Sequence, residues 1–291
     1  MDYQSVFRKG LFEGRRVIVT GGGSGIGRCT AHELAALGAH VVLVGRKLEK
    51  LELVACEIEA AGGKRPTCHA CDIRDEEKVR ATVSDVMAAG VPVTGLVNNA
   101  GGQFFSPMKD ISANGFDAVV RNNLTGGFLM AREVFNASME AHGGAIVNVL
   151  ADMWRSMPGM AHSGAARAGM LNLTETAAVE WAYAGVRVNA VAPGFIASSG
   201  LTNYPEAARP LLRKVREYVP LKRLGTESEV ASAIVFLLGE SSAFINGSCL
   251  RVDGGHPNAR RDWDMPDHSR SVPYRGFPLE SRVEFLEQAT Q

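Results

Sequence analysis

Thr20-Gly21-Gly22-Gly23-Ser24-Gly25-Ile26-Gly27-Arg28 is the stretch on which the reading of this chain turns. It follows a short β-branched run, Arg16-Val17-Ile18-Val19-Thr20, and a helical pattern begins at once after it. Glycines at 21, 25 and 27 permit a tight turn and let the backbone approach a pyrophosphate closely. The helix start then offers free N–H groups and the positive end of its dipole. Gly21, Ser24, Gly25, Ile26 and Gly27 are therefore candidate dinucleotide-binding residues. A strand–turn–helix context is what separates this reading from a mere tight connection.

Outward from that loop, short apolar runs alternate with longer helical stretches. The runs are 16–20, 40–44, 67–73, 94–98, 145–149, 186–191 and 248–252. Several are almost continuously hydrophobic, as strands buried on both faces of a parallel sheet must be. Between them, spacings such as Ala168, Leu171, Thr174, Ala178 and Trp181 are helical. The pattern predicts an α/β fold, a doubly wound Rossmann-type parallel sheet of about seven strands with helices on both faces. One domain over residues 1–255 is expected. After Gly255 the chain turns polar and proline-containing, so 256–291 reads as a C-terminal extension with a short helix near 279–288.

Composition bounds the partners. The 291 residues hold 31 Lys+Arg against 31 Asp+Glu, so there is no global basic field for nucleic acid or anionic lipid. A hydrophobic share of 46% excludes disorder. There is no run of about 18 apolar residues for a membrane span, and the first residues lack a secretory apolar stretch. Five cysteines, an odd count, fit reduced thiols in the cytoplasm. Cys68-His69-Ala70-Cys71 looks like a metal half-site. It has no second pair and lies on an expected strand, where residues three apart face opposite ways, so no metal is expected.

The second strand ends in Val44-Gly45-Arg46-Lys47, without the acid that would bind a ribose 2′-hydroxyl. Two cations there suit a 2′-phosphate, so Arg46 and Lys47 predict NADP(H); an exposed basic helix start is the alternative.

The chain resembles the short-chain dehydrogenase/reductase family. It carries, in family order, the glycine loop, Asp72, Asn98-Asn99-Ala100-Gly101, Asn123-Leu124-Thr125-Gly126, Arg187-Val188-Asn189-Ala190-Val191-Ala192-Pro193-Gly194 and Val252-Asp253-Gly254-Gly255. The resemblance covers about 11–255. It implies that Asp72 and Ile73 meet the adenine and that Asn99, Ala100 and Gly101 line the cofactor. It implies too that Pro193, Gly194, Ile196 and Ser198 hold the nicotinamide end. The family's catalytic Asn falls on Asn123. Its Tyr-x-x-x-Lys falls, by spacing, on Ser163-Gly164-Ala165-Ala166-Arg167, and its Ser falls at about Ala151.

Three of those four identities are changed, and the change bears on the chemistry. Tyr donates a proton to the alkoxide formed in carbonyl reduction. A serine hydroxyl is far less acidic, and Arg stays protonated, so it cannot relay protons as Lys does. Arg167 can still hold the nicotinamide ribose and supply positive potential. Reduction of a C=C bond conjugated to a thioester asks for less, because donors can stabilise the enolate without giving up a proton. Asn123, Ser163 and Arg167 fit that demand.

The chain also resembles the peroxisomal-type trans-2-enoyl-CoA and 2,4-dienoyl-CoA reductase branch. The matching segments are Gly101-Gly102-Gln103-Phe104-Phe105-Ser106-Pro107, His162-Ser163-Gly164-Ala165-Ala166-Arg167-Ala168-Gly169 and Pro266-Asp267-His268. The branch's tyrosines are absent, with Leu171 and Asp152-Met153-Trp154 in their places. Asp152, His162 and Tyr204 are the local candidates for proton donor, or respectively a turn cap, a satisfied loop histidine and a packing aromatic.

Between 199 and 225, Arg209, Arg213, Lys214, Arg216, Lys222 and Arg223 outnumber Glu206 and Glu217. This is either a site for the phosphates of an acyl-CoA substrate or a solvated helix face. Phe104, Phe105, Trp154 and Phe195 line an acyl channel or belong to the core. The expected activity is NADPH-dependent reduction of the C=C bond of a trans-2-enoyl-CoA thioester. A 3-oxoacyl or other carbonyl reductase and a catalytically silent NADP(H)-binding protein are the alternatives. The resemblance implies a homodimer or homotetramer, which the apolar helices over 124–139 and 166–182 would suit.

Overall fold

β1 (Arg16–Thr20) is fully buried, and its side chains alternate between two cores. Val17 and Val19 join one apolar cluster while Ile18 joins another. The same two-residue period divides Val41 and Leu43 from Val42 and Val44, and Ala145 and Val147 from Ile146. Strands buried on both faces need helices on both faces, and the chain supplies them. The computed structural model describes residues 2–204, 206, 209–260 and 262–287.

The strands are β1, β2 (His40–Gly45), β3 (Thr67–Ala70), β4 (Val93–Asn98), β5 (Gly144–Val149), β6 (Val186–Pro193) and β7 (Cys249–Val252). They form one parallel sheet in the order β3-β2-β1-β4-β5-β6-β7. The helices are α1 (Gly25–Ala36), α2 (Leu48–Ala60), α3 (Glu76–Met87), α4 (Ala113–Val120), α5 (Gly126–Val134), α6 (Glu140–His142), α7 (Ala161–Glu180), α8 (Arg209–Tyr218), α9 (Glu227–Leu238) and α10 (Glu284–Glu287). The doubly wound fold, with the order reversing between β1 and β4, opens a crevice at the carboxyl ends of those strands.

Cys68 and His69 lie on β3 and Cys71 just beyond it. Among the described residues no group of three or more metal-ligating side chains assembles. The five cysteines are free thiols. No helix is long and apolar enough to cross a membrane among the described residues.

Two expectations are refined. The helix over 124–139 is not uniform: wide turns at Arg121–Thr125 and Phe135–Met139 interrupt it. The last helix is confined to α10, and residue 288 onward lies outside the described residues. Residues 279–282 are non-helical, with Leu279 in a turn, and tertiary partners claim them. Leu279 O accepts from Arg28, and Ser281 Oγ donates to Glu227 at 2.8 Å.

Beyond β7 the chain folds back over its own domain. Tyr274 O accepts from Thr226 Oγ1, Phe277 is buried against Tyr3 and His32, and Val283 and Phe285 pack with Leu212, Val215 and Val219. α8 and its neighbours are thus clamped from outside by the C-terminal segment.

Candidate active site

The cofactor end is built by Thr20. Its hydroxyl accepts from Asn99 N and Ala100 N, each at 3.0 Å, tying the ends of β1 and β4 together. Asn99 Nδ2 returns a bond to Thr20 O at 3.0 Å. The packing explains Gly27: a Cβ there would lie 2.4 Å from both Gly21 O and Asn99 Nδ2. Above the start of α1 there is space. The nearest atoms to a Cβ on Gly25 would be Ser199 Oγ at 3.5 Å and Glu227 Oε1 at 3.9 Å. Ser24 makes no side-chain cap, so the first N–H groups of α1 stay free for an anion. These residues fit a pyrophosphate. Glu227 is buried, and burial raises its pKa, which softens its repulsion of phosphate.

Where the adenosine is expected, Arg46 and Lys47 are exposed just beyond β2. Asp72 is gripped by Arg74, and these hydrogen bonds hold its carboxyl at about 2. Ile73 has its side chain in the core, where a Cβ on Gly126 would come within 2.7 Å of it. What Ile73 can offer a cofactor is therefore its backbone.

Pro193 ends β6, and its carbonyl accepts from Asp152 N at 2.9 Å. Gly194 N donates to Val252 O. Ile196 is buried in the core and bridges to Gly225, through bonds made by the amides of Ala197 and Gly225 rather than its own. Ser198 precedes the short 3-10 turn Ser199–Asn203 that leads toward α8.

Two of the expected catalytic positions, Asn123 and Arg167, converge on Gly101. A Cβ there would lie 2.6 Å from Arg167 Nη2 and 2.7 Å from Asn123 Oδ1. Asn123, on the wide turn after α4, gives Nδ2 to Gly102 O at 2.6 Å and Val119 O at 2.8 Å, while Oδ1 accepts from Gly102 N at 3.1 Å. In this arrangement it shapes the 101–102 backbone. Arg167 is buried on α7 and donates to Val149 O at 2.6 Å. Burial lowers its pKa to about 10, which still leaves it cationic at neutral pH. Its Nε has no partner among the described residues.

Ser163 Oγ donates to Gln103 Oε1 at 2.6 Å, and Gln103 Nε2 donates to Tyr204 Oη at 2.7 Å. Ser163 and Tyr204, distant in sequence, are thus joined through Gln103. His162 is fully buried against Phe104, and burial lowers its pKa. Asp152 accepts at Oδ2 from His256 Nδ1 at 2.7 Å. Gln103 and His256 were not among the sequence candidates. Gln103 stood inside a quoted motif, whereas nothing local links His256 to a residue 104 positions earlier.

The cations between 209 and 223 are largely spent on structure. Arg223 pairs with Glu229 and Ser271, Arg213 donates to Phe285 O, Arg209 pairs with Glu206, and Lys222 donates to Glu217 O. Arg216, Lys222 and Arg223 nevertheless line a polar cleft of about 730 Å³ with Arg275 and His268. Trp154 lines an apolar cleft of about 540 Å³ with Met153, Met157 and Pro158.

Residues 21–256 match the family model described as "Enoyl-(Acyl carrier protein) reductase". The chain belongs to the short-chain dehydrogenase/reductase family. Members of this family are oxidoreductases that bind a nicotinamide cofactor. Among its curated relatives is a Bacillus subtilis protein named "Probable 2,4-dienoyl-CoA reductase [(2E)-enoyl-CoA-producing]". It is 36% identical over 84% of this chain and 96% of its own. Among solved short-chain reductases and dehydrogenases, the citronellol catabolism dehydrogenase of Pseudomonas aeruginosa is 61% identical. The match covers 88% of this chain and 100% of that one with a TM-score of 0.79. Levodione reductase is 32% identical over 86% of this chain and 100% of its own, with a TM-score of 0.81.

Proposed function

We propose that the protein reduces the C=C bond of an α,β-unsaturated acyl-CoA thioester, a trans-2-enoyl- or 2,4-dienoyl-CoA, with NADPH. The observation that carries this reading is the replacement of the family's Tyr and Lys by Ser163 and a buried, cationic Arg167. That pair is poorly suited to protonating an alkoxide but well suited to stabilising negative charge on a thioester oxygen. A reduced nicotinamide bound here supplies a hydride to Cβ.

In this reading the residues divide the work as follows. Gly21, Ser24, Gly25, Ile26 and Gly27 hold the pyrophosphate, and Arg46 with Lys47 holds the 2′-phosphate. Asp72 and Ile73 border the adenine, and Asn99, Ala100 and Gly101 border the ribose and nicotinamide. Pro193, Gly194, Ile196 and Ser198 hold the carboxamide end. Arg167 holds the nicotinamide ribose and sets the positive potential. Ser163, turning its hydroxyl from Gln103 Oε1 when substrate binds, presents a donor to the thioester oxygen beside the Gln103 amide, and Asn123 fixes the 101–102 backbone next to them. The 730 Å³ cleft with Arg216 and Lys222 suits the CoA phosphates. A cytoplasmic homodimer or homotetramer belongs to the same proposal; Phe128 and Val179, exposed on α5 and α7, are apolar surface for it.

The 61% identity to the citronellol catabolism dehydrogenase favours a second reading, interconversion of an acyclic terpenoid alcohol and its aldehyde. NADPH oxidation should be followed with 2-enoyl-CoA, 2,4-dienoyl-CoA, 3-oxoacyl-CoA and citronellal, with products weighed by mass spectrometry. A CoA ester heavier by two hydrogens and lacking a new hydroxyl is expected. Turnover confined to 3-oxoacyl-CoA or citronellal would overturn the first reading. NADPH binding with no turnover on any of the four would favour a silent cofactor-binding protein.

A further inference from the structure

The family's tyrosine is absent, so the proton that must reach Cα needs another source. We propose that His256, oriented by Asp152, is that acid. The assignment rests on the enoyl-reduction reading above.

Three observations bring His256 to the site. The turn Asp253-Gly254-Gly255 reverses the chain after β7: Gly254 and Gly255 have φ of 63° and 83°, and Asp253 Oδ1 accepts from Gly255 N at 2.8 Å. A side chain is excluded at Gly254, where a Cβ would lie 2.6 Å from Val219. The turn delivers His256 to Asp152, and the following 3-10 turn is held by Arg251 on Asn258 Oδ1 and Arg155 on Ala259 O. Second, the pair stands at the segment that would hold the nicotinamide. Asp152 N donates to Pro193 O, and the His256 ring meets Phe195 edge-on at 5.0 Å. Third, Asp152 is mostly buried, its Oδ1 has no partner among the described residues, and the His256 imidazole is the side chain that bonds its Oδ2.

The carboxylate fixes the tautomer. It accepts the proton on Nδ1, which leaves Nε2 free to exchange one. Hydride addition to Cβ converts the C=C electrons into an enolate whose charge rests on the thioester oxygen near Arg167. Nε2–H then gives its proton to Cα. The C–O double bond reforms, the imidazole becomes neutral, and solvent reprotonates it through its exposed edge.

The test compares wild type, His256→Gln, His256→Ala and Asp152→Asn with a 2-enoyl-CoA in D2O. Wild type should place deuterium on a single face of Cα. His256→Gln should lose about a hundredfold or more in kcat and label both faces. Imidazole should restore part of the rate to His256→Ala. NADPH affinity by fluorescence and the unfolding temperature should change little in His256→Gln, which separates acid catalysis from a structural role. Wild-type kcat with one-face labelling in His256→Gln overturns the assignment alone, and so does a loss matched by lost NADPH binding. If wild type reduces no unsaturated acyl-CoA, the enoyl-reduction reading falls, and this assignment with it.

Discussion

Arg46 and Arg167 are the same residue type in opposite environments. Arg46 is exposed at the end of β2, where a guanidinium fork can grip a phosphate without prior desolvation. Arg167 is buried, and part of its desolvation cost is offset by the bond to Val149 O. A charge-assisted bond to phosphate contributes roughly 1.5–3 kcal/mol. Arg46→Ala should therefore weaken NADPH about tenfold to a hundredfold while NADH binding stays within about twofold. Fluorescence titration with both nucleotides checks this, and an equal loss for both would show that Arg46 does not read the 2′-phosphate. The expectation for Arg46 comes from its fixed distance from the glycine loop, and those for Ser163 and Arg167 from their four-residue spacing before β6. The contacts of Gln103 and His256 were not legible, since each depends on a partner brought close only by folding.

At the scale of elements, α8 shows how a helix depends on what lies outside the sheet. It presents four cations and buries only Leu212 and Val215, too little apolar surface to hold a ten-residue helix by itself. Val283 and Phe285 complete that small core, and Arg213 donates to Phe285 O at 2.9 Å. Removing the Phe285 ring should cost about 3–5 kcal/mol of local stability. Phe285→Ala is expected to speed proteolysis within 209–218 and raise the KM for an acyl-CoA severalfold, with NADPH affinity unchanged. An unaltered cleavage pattern would mean that α8 stands without the tail. The basic character of 209–223 was plain in the sequence. Its conversion into intramolecular pairs was not, because Glu229, Ser271 and Phe285 are spread over the last 63 residues. The central strands were easier, since runs buried on both faces announce themselves in one short window.

At the scale of the molecule, both ends of the chain close on α1. Tyr3 and Ser5 donate to Glu33, Phe277 stacks on Tyr3, and Tyr274 donates to Gln4 O. Glu33 is fully buried, and desolvation raises its carboxyl pKa to about 7. Below about pH 4.5 folded and unfolded chains are both protonated there. Between about 4.5 and 7 the unfolded chain loses the proton first, so this group's contribution to stability falls as pH rises. A shift from 4.5 to about 7 corresponds to an upper bound of roughly 3 kcal/mol. Glu33→Gln should thus gain about 1–3 kcal/mol relative to wild type on going from pH 4.5 to pH 8 in urea unfolding; a pH-independent difference would refute this. The glycine loop, the strand runs and the Asn, Ser and Arg positions were set by sequence alone. Each depends on local backbone geometry or on spacing along one or two elements, and both are preserved in a linear string. The closure of the tail on α8 and α9, the engagement of the basic segment and the pairing of Asp152 with His256 were decided only by tertiary structure. These are contacts across dozens to hundreds of residues, and their energy comes from burial and charge pairing that exist only once the sheet has brought the partners together.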